Sequence, residues 1–87
     1  MDNTIEKFTV ELIVNNRYGV LNRITGLYAR RGYNIDSLHV NEIANTDKSC
    51  MLITSKGNEY TQKQMVRQLS KLYDVLDVTL MVQVNKI

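Results

Sequence analysis

The chain has 87 residues, 44% of them hydrophobic, with no proline, one cysteine and a formal net charge of +2. A chain this short has no room for two cores, so residues 1–87 are expected to form one domain with its core over about 8–84. The basic residues Arg30, Arg31, Lys63, Arg67 and Lys71 are scattered rather than run together, which argues against a nucleic-acid partner. The start MDNTIEKF is polar, no segment approaches the ~18 apolar residues of a membrane span, and Cys50 has no partner for an internal disulfide, so the chain is expected to be cytoplasmic.

Phe8, Val10, Leu12 and Val14 alternate with Thr9, Glu11 and Ile13, the period of two of a strand with one face on a core. After Asn15-Asn16-Arg17-Tyr18-Gly19 the period changes. Val20, Leu21, Ile24, Leu27 and Tyr28 make one helical stripe, and Gly32 supplies the left-handed position that ends helices. A second strand is expected from about Ser37 to Ile43, beginning late or carrying a bulge because Ile35 and Leu38 are out of phase. Asn45-Thr46-Asp47 reads as a hairpin turn, and the apolar run Ser49 to Thr54 as a third strand antiparallel to the second. Gly57-Asn58 closes that strand, and Thr61 with Gln64 fits a capping box for a second helix. Met65, Leu69, Leu72 and Tyr73 form its apolar stripe, and Lys63, Arg67 and Lys71 its solvent side. Leu76, Val78, Leu80, Val82 and Val84 then alternate as a last strand.

The order βαββαβ is that of an α+β, ferredoxin-like domain, a four-stranded antiparallel sheet with two helices on one face. The other face is expected to carry Ile13 and Met81, with Met51 or Ile53, and so to be apolar enough to meet another chain. A domain of this size buries only roughly 60% of its unfolded surface, which adds to the expectation of a partner.

Little in the chain suggests catalysis. The lone His39 lies on a strand, Cys50 sits inside an apolar run, and no spacing assembles a metal site from them. Asp36, Glu42, Asp47, Asp74 and Asp77 are dispersed and read as solvated surface. Neither GxGxxG nor GxxxxGK[ST] occurs. RNA-recognition domains share this element order, but they stack bases on sheet aromatics, and here only Phe8 offers one. What remains is NNRYGVL. The first N–H groups of a helix are unpaired and partly positive, so Val20 and Leu21 beyond Gly19 suit a carboxylate, with Gly19 allowing close approach. Asn16 before the helix and Asn34 after it add amides that donate and accept, as a zwitterion requires, although spacing alone favours a plain helix-cap and a plain turn asparagine.

The motifs N-R-x-G-V-L at Asn16 to Leu21, R-x-x-G-L at Arg23 to Leu27 and R-R-G-Y-N-I-D-S-L at Arg30 to Leu38 resemble the ACT domain. They are closest to that of the regulatory small subunit of acetohydroxyacid synthase, also called acetolactate synthase. The likeness runs from about Phe8 to Val78 and includes QLSKLYDVLDV from Gln68 to Val78. It implies a non-catalytic homodimer that binds the catalytic large subunit, raises its activity and confers feedback inhibition by valine or another branched-chain amino acid. Thiamine diphosphate, Mg and FAD are then expected on the catalytic chain and no cofactor on this one. By motif match the effector contacts are Asn16, Gly19, Val20, Leu21, Asn34 and Ile35, shared between the helix-one loop of one domain and the second strand of the other.

A free-standing amino-acid-sensing ACT module with another client is the alternative. Asn15 stands where the family usually has an acidic residue and Tyr18 where it has proline or a small residue; both flank the implied pocket. Family members commonly continue into a second C-terminal domain, so this chain resembles the short forms or a fragment. Gly26, inside the first helix, implies close helix–sheet or subunit packing there.

Overall fold

The computed structural model describes residues 4–82, apart from the side chain of Val82. Its elements are β1 (Glu6–Asn15), α1 (Val20–Arg30), β2 (Ser37–Glu42), β3 (Lys48–Gly57), α2 (Glu59–Ser70) and β4 (Val75–Val82). The strands pair antiparallel in the order β2-β3-β1-β4, leaving β2 and β4 as the edges. This is the expected ferredoxin-like fold; Val84 of the sequence pattern lies outside the described residues.

The core sits between the sheet and the helices. Phe8, Val10, Leu12 and Val14 of β1 meet Met51 and Ile53 of β3, with Val20, Ile24, Leu27 and Tyr28 of α1 and Met65 and Leu69 of α2. Met51 and Ile53 therefore face the helices, not the open face. The pairings Val10↔Ile53 and Leu12↔Met51 fix this, because directly opposed residues share a face. The open face holds Ile13 and Met81 as expected, but also Thr9, Glu11, Cys50, Leu52, Thr54 and His39, so it is a mixed surface rather than an apolar one. At its centre the Cys50 thiol donates to Glu11 Oε2 at 3.6 Å.

Three further expectations shift. Leu76 does not join the inward row of β4. The register slips between Ile13 and Val14, where Ile13 pairs Asp77 and Val14 pairs Val75, so Leu76 is the extra residue of a bulge and is 48% exposed. Helix α2 starts earlier than the Thr61 capping box implies. Asn58 is the N-cap, its side chain accepting the Thr61 N–H at 2.9 Å. The helix ends at Ser70, leaving Leu72 half-buried beyond it and Tyr73 81% exposed instead of on the apolar stripe. Lys63, Arg67 and Lys71 are solvent-facing as the pattern implies.

The end of α1 follows its sequence. Gly32 has φ +75, its N–H donates to Ala29 O, and the Tyr33 N–H donates to Tyr28 O at 2.9 Å, the paired bonds of a Schellman turn. Strand β2 begins only at Ser37, so Ile35 precedes it and packs half-buried on the core beside Leu38. Gly26 has no close neighbour in the sheet. A Cβ there would meet only Arg30 Nη1, at 3.5 Å, so helix–sheet packing does not account for this glycine.

Candidate functional site

The loop between β1 and α1 is a tight turn. The Arg17 N–H donates to Asn15 O, the Val20 N–H donates to Arg17 O at 3.2 Å, and Gly19 takes φ +87, a left-handed conformation that a side chain would strain. As N-cap, Gly19 offers no capping side chain, and no acidic residue occupies the first turn. The first helical backbone bond beyond it runs from the Arg23 N–H to Gly19 O at 3.0 Å. The Leu21 and Asn22 N–H groups are thus left with no acceptor among the described residues, at the partly positive end of an eleven-residue helix. Helix α2 differs, having both the Asn58 cap and Glu59 in its first turn.

Val20, expected as a donor, has already spent its N–H on Arg17, and its side chain is buried in the core. Asn22, which the motif did not mark, takes its place beside Leu21. The Leu21 side chain is exposed at the rim, and Tyr18 projects fully into solvent beside the loop instead of filling it. Asn16 is tied to the β2–β3 hairpin: its backbone N–H donates to Asp47 O at 2.8 Å and its side-chain amide to Glu42 Oε2 at 3.3 Å.

Asn34 and Ile35 lie elsewhere. They precede β2, whereas Asn16 contacts Glu42 at the end of β2, so the two asparagines sit at opposite ends of both β2 and α1. Eleven helical residues span roughly 16 Å at 1.5 Å each. One chain therefore groups Asn16, Gly19 and Leu21, and groups Asn34 with Ile35, but does not bring the two groups together.

Asp74 is not the solvated surface residue that its sequence context implies, being 5% exposed. Its carboxylate accepts from Asn15 Nδ2 at 3.2 Å and Arg23 Nη1 at 3.1 Å, with Arg17 Nη1 at 3.7 Å, and its carbonyl accepts the Asn15 N–H at 2.9 Å. The Arg17 guanidinium also lies over the Tyr73 ring, 5.9 Å from its centre. Arg23 and Asn15 are 51 and 59 residues from Asp74, beyond the reach of any local pattern. Asn15 matters here because an acidic side chain in its place would set a second carboxylate against Asp74.

Other chemistry is sparse. Among the described residues no group of three or more His, Cys, Asp or Glu is placed to hold a metal ion, and no helix is long and apolar enough to cross a membrane. Phe8, the one aromatic weighed for stacking a base, is 1% exposed and faces the helices. The Cys50 thiol is pushed above its ordinary pKa, first by burial and then by the Glu11 carboxylate, which keeps it protonated.

Residues 10–77 match the model of the AHAS small subunit-like ACT domain. The chain is 40% identical over 73 residues to a probable acetolactate synthase small subunit of Archaeoglobus fulgidus, covering 84% of this chain and 46% of that one. It is 44% identical over 75 residues to the acetolactate synthase small subunit of Bacillus subtilis, covering 84% and 43%. The crystal structure of the acetolactate synthase small subunit from Thermotoga maritima superposes with a TM-score of 0.80 at 36% identity, over 86% of this chain and 47% of that one. An ACT domain of a Chlorobium tepidum GTP pyrophosphokinase superposes at 0.76 with 17% identity, which speaks for the fold alone. The chain spans less than half the length of each of the three small subunits. On the match over 10–77 and these identities, the chain belongs to the family of AHAS small subunit-like ACT domains.

Proposed function

We propose that the chain is the amino-acid-sensing ACT domain, spanning residues 1–87, of a cytoplasmic regulatory small subunit of acetohydroxyacid synthase. It carries no catalytic group and no cofactor. It binds and activates the catalytic large subunit, which holds thiamine diphosphate, Mg and FAD, and it confers inhibition by valine or a related branched-chain amino acid. The observation that carries this reading is the uncapped start of α1, Gly19 followed by the free Leu21 and Asn22 N–H groups, in a chain of this family.

The effector's carboxylate takes those two N–H groups, its ammonium takes amide and carbonyl oxygens, and its side chain rests on Leu21. Asn16 lies beside this position, but Asn34 and Ile35 reach it only from a second copy. Strand β2 is an exposed edge, and two such edges paired antiparallel about a two-fold axis set the start of one β2 against the end of the other. The second copy's Asn34 then stands near this copy's Asn16. The homodimer has two equivalent sites, each completed by both chains.

Regulation follows if the effector binds the dimer with different affinity in the two activity states of the catalytic subunit; the same free-energy difference then shifts those states. The test is to add the chain to the catalytic subunit and measure acetolactate formation with and without valine, leucine and isoleucine. The expected result is a rise in activity that one of the three amino acids reverses. No change on adding the chain would overturn the proposal.

A further inference from the structure

We propose that Asp74 is a positioning residue for the start of α1. From the α2–β4 turn it holds both flanks of the β1–α1 loop, and so sets the direction of the free Leu21 and Asn22 N–H groups. Its consequence for ligand affinity rests on the effector reading given above; its consequence for the loop does not.

The Asp74 side chain is 7% exposed, and a polar group that buried needs hydrogen-bond donors. Its side-chain donors all come from one place. Asn15 precedes the loop, Arg17 lies within it, and Arg23 is one turn into the helix, where its own N–H bonds to Gly19 O. A single residue thus fastens the entrance of the loop and the first turn of α1 to the same point. The remaining backbone ties are few: the Asn15 N–H to the Asp74 carbonyl, the Asn16 N–H to Asp47 O and the short turn bonds of Arg17 and Val20. The Tyr73 ring under Arg17 adds a second contact from the same turn.

Charge and position make opposite predictions. Two guanidinium groups against one carboxylate leave the mouth of the helix with one net positive charge, and Asp74→Asn would leave two. If charge alone mattered, that variant would bind a carboxylate ligand more tightly. If Asp74 positions the N–H groups, it binds more weakly despite the added attraction. A merely structural role would lower the melting temperature and leave the affinity of the folded protein as it was.

The experiment compares the wild-type chain, Asp74→Asn and Arg23→Gln by amide hydrogen exchange and by calorimetric titration with L-valine, L-leucine and L-isoleucine. Arg23 is half-exposed, and Asn15 and Arg17 still face Asp74 when it is replaced, so Arg23→Gln is the milder change. In Asp74→Asn the amides of Arg17, Val20 and Arg23 are expected to exchange about tenfold faster, with β1 and β3 unchanged, and in Arg23→Gln about threefold faster. Unchanged exchange at those amides, or equal acceleration throughout the sheet, would overturn the proposal. The effector dissociation constant is expected to rise about tenfold in Asp74→Asn, within the usual range of coupling between sites. Equal or tighter binding would overturn the affinity half. A wild-type chain that binds none of the three amino acids would instead defeat the effector reading, and the exchange rates would still decide the role of Asp74.

Discussion

Two glycines of α1 predict stability changes of opposite sign. Gly19 has φ +87 and an added Cβ would meet nothing within 4 Å, so Gly19→Ala costs only the left-handed backbone conformation, about 1–2 kcal/mol. Gly26 lies in the helix interior, and its added Cβ would touch only Arg30 Nη1 at 3.5 Å, an ordinary contact. Gly26→Ala should therefore recover the propensity difference between the two residues, about 1 kcal/mol. For a domain of this length 1 kcal/mol moves the melting temperature by roughly 4–8 °C. The two variants should then lie on either side of wild type, separated by roughly 10–20 °C. The assay is thermal and urea unfolding followed by circular dichroism, at one fixed protein concentration because association would add to the apparent stability. Changes of the same sign would refute the reasoning. A destabilised Gly26→Ala would mean that a second chain packs against this position.

Asn58→Ala should cost about 1 kcal/mol, because it removes the side-chain cap of α2, while Gln64→Ala should be near neutral; the reverse order in urea unfolding would restore the capping box at Thr61 and Gln64. The Tyr28 hydroxyl is buried with no hydrogen-bond partner among the described residues, so Tyr28→Phe should leave stability unchanged or raise it by about 1 kcal/mol, and a loss of that size would reveal a further partner. Cys50 should alkylate slowly with iodoacetamide, at a rate still climbing above pH 9. The Glu11 carboxylate raises its pKa, so Glu11→Gln should shift the pH–rate curve to lower pH; superimposable curves would remove Glu11 as a cause.

Periodicity made most of the fold legible. The alternation of Phe8 to Val14 and the helical stripe from Val20 to Tyr28 became β1 and α1 with the expected inward faces, apart from Leu21 at the rim. The run Ser49 to Thr54 marked a strand but neither its full extent, Lys48–Gly57, nor its faces, because an apolar run has no phase; pairing with β1 decided that Met51 and Ile53 point inward. Leu76 kept perfect alternation in sequence and still turned outward, since a bulge is set by the partner strand. At the α2 start the expected Thr61 cap gave way to Asn58, whose side chain accepts the Thr61 N–H. At the site, Gly19 and the Leu21 donor were legible from the loop itself, whereas Val20 spends its N–H on the Arg17 carbonyl and Asn22 carried no sequence signal. The Asp74 anchor was not legible, because all its donors lie far off in sequence. The separation of Asn16 from Asn34 also needed the fold, since it depends on β1 and β2 running in the same direction.

The claim that the effector site is completed by two copies is tested most directly by mixing Asn16→Ala and Asn34→Ala chains and counting valine sites by calorimetry. Each variant alone has every site damaged. In a mixed dimer one site carries both substitutions and the other carries neither, so unfolding and refolding an equal mixture should restore about a quarter of the wild-type sites per chain, at wild-type affinity. A mixture that binds no better than its separate components would contradict a shared site.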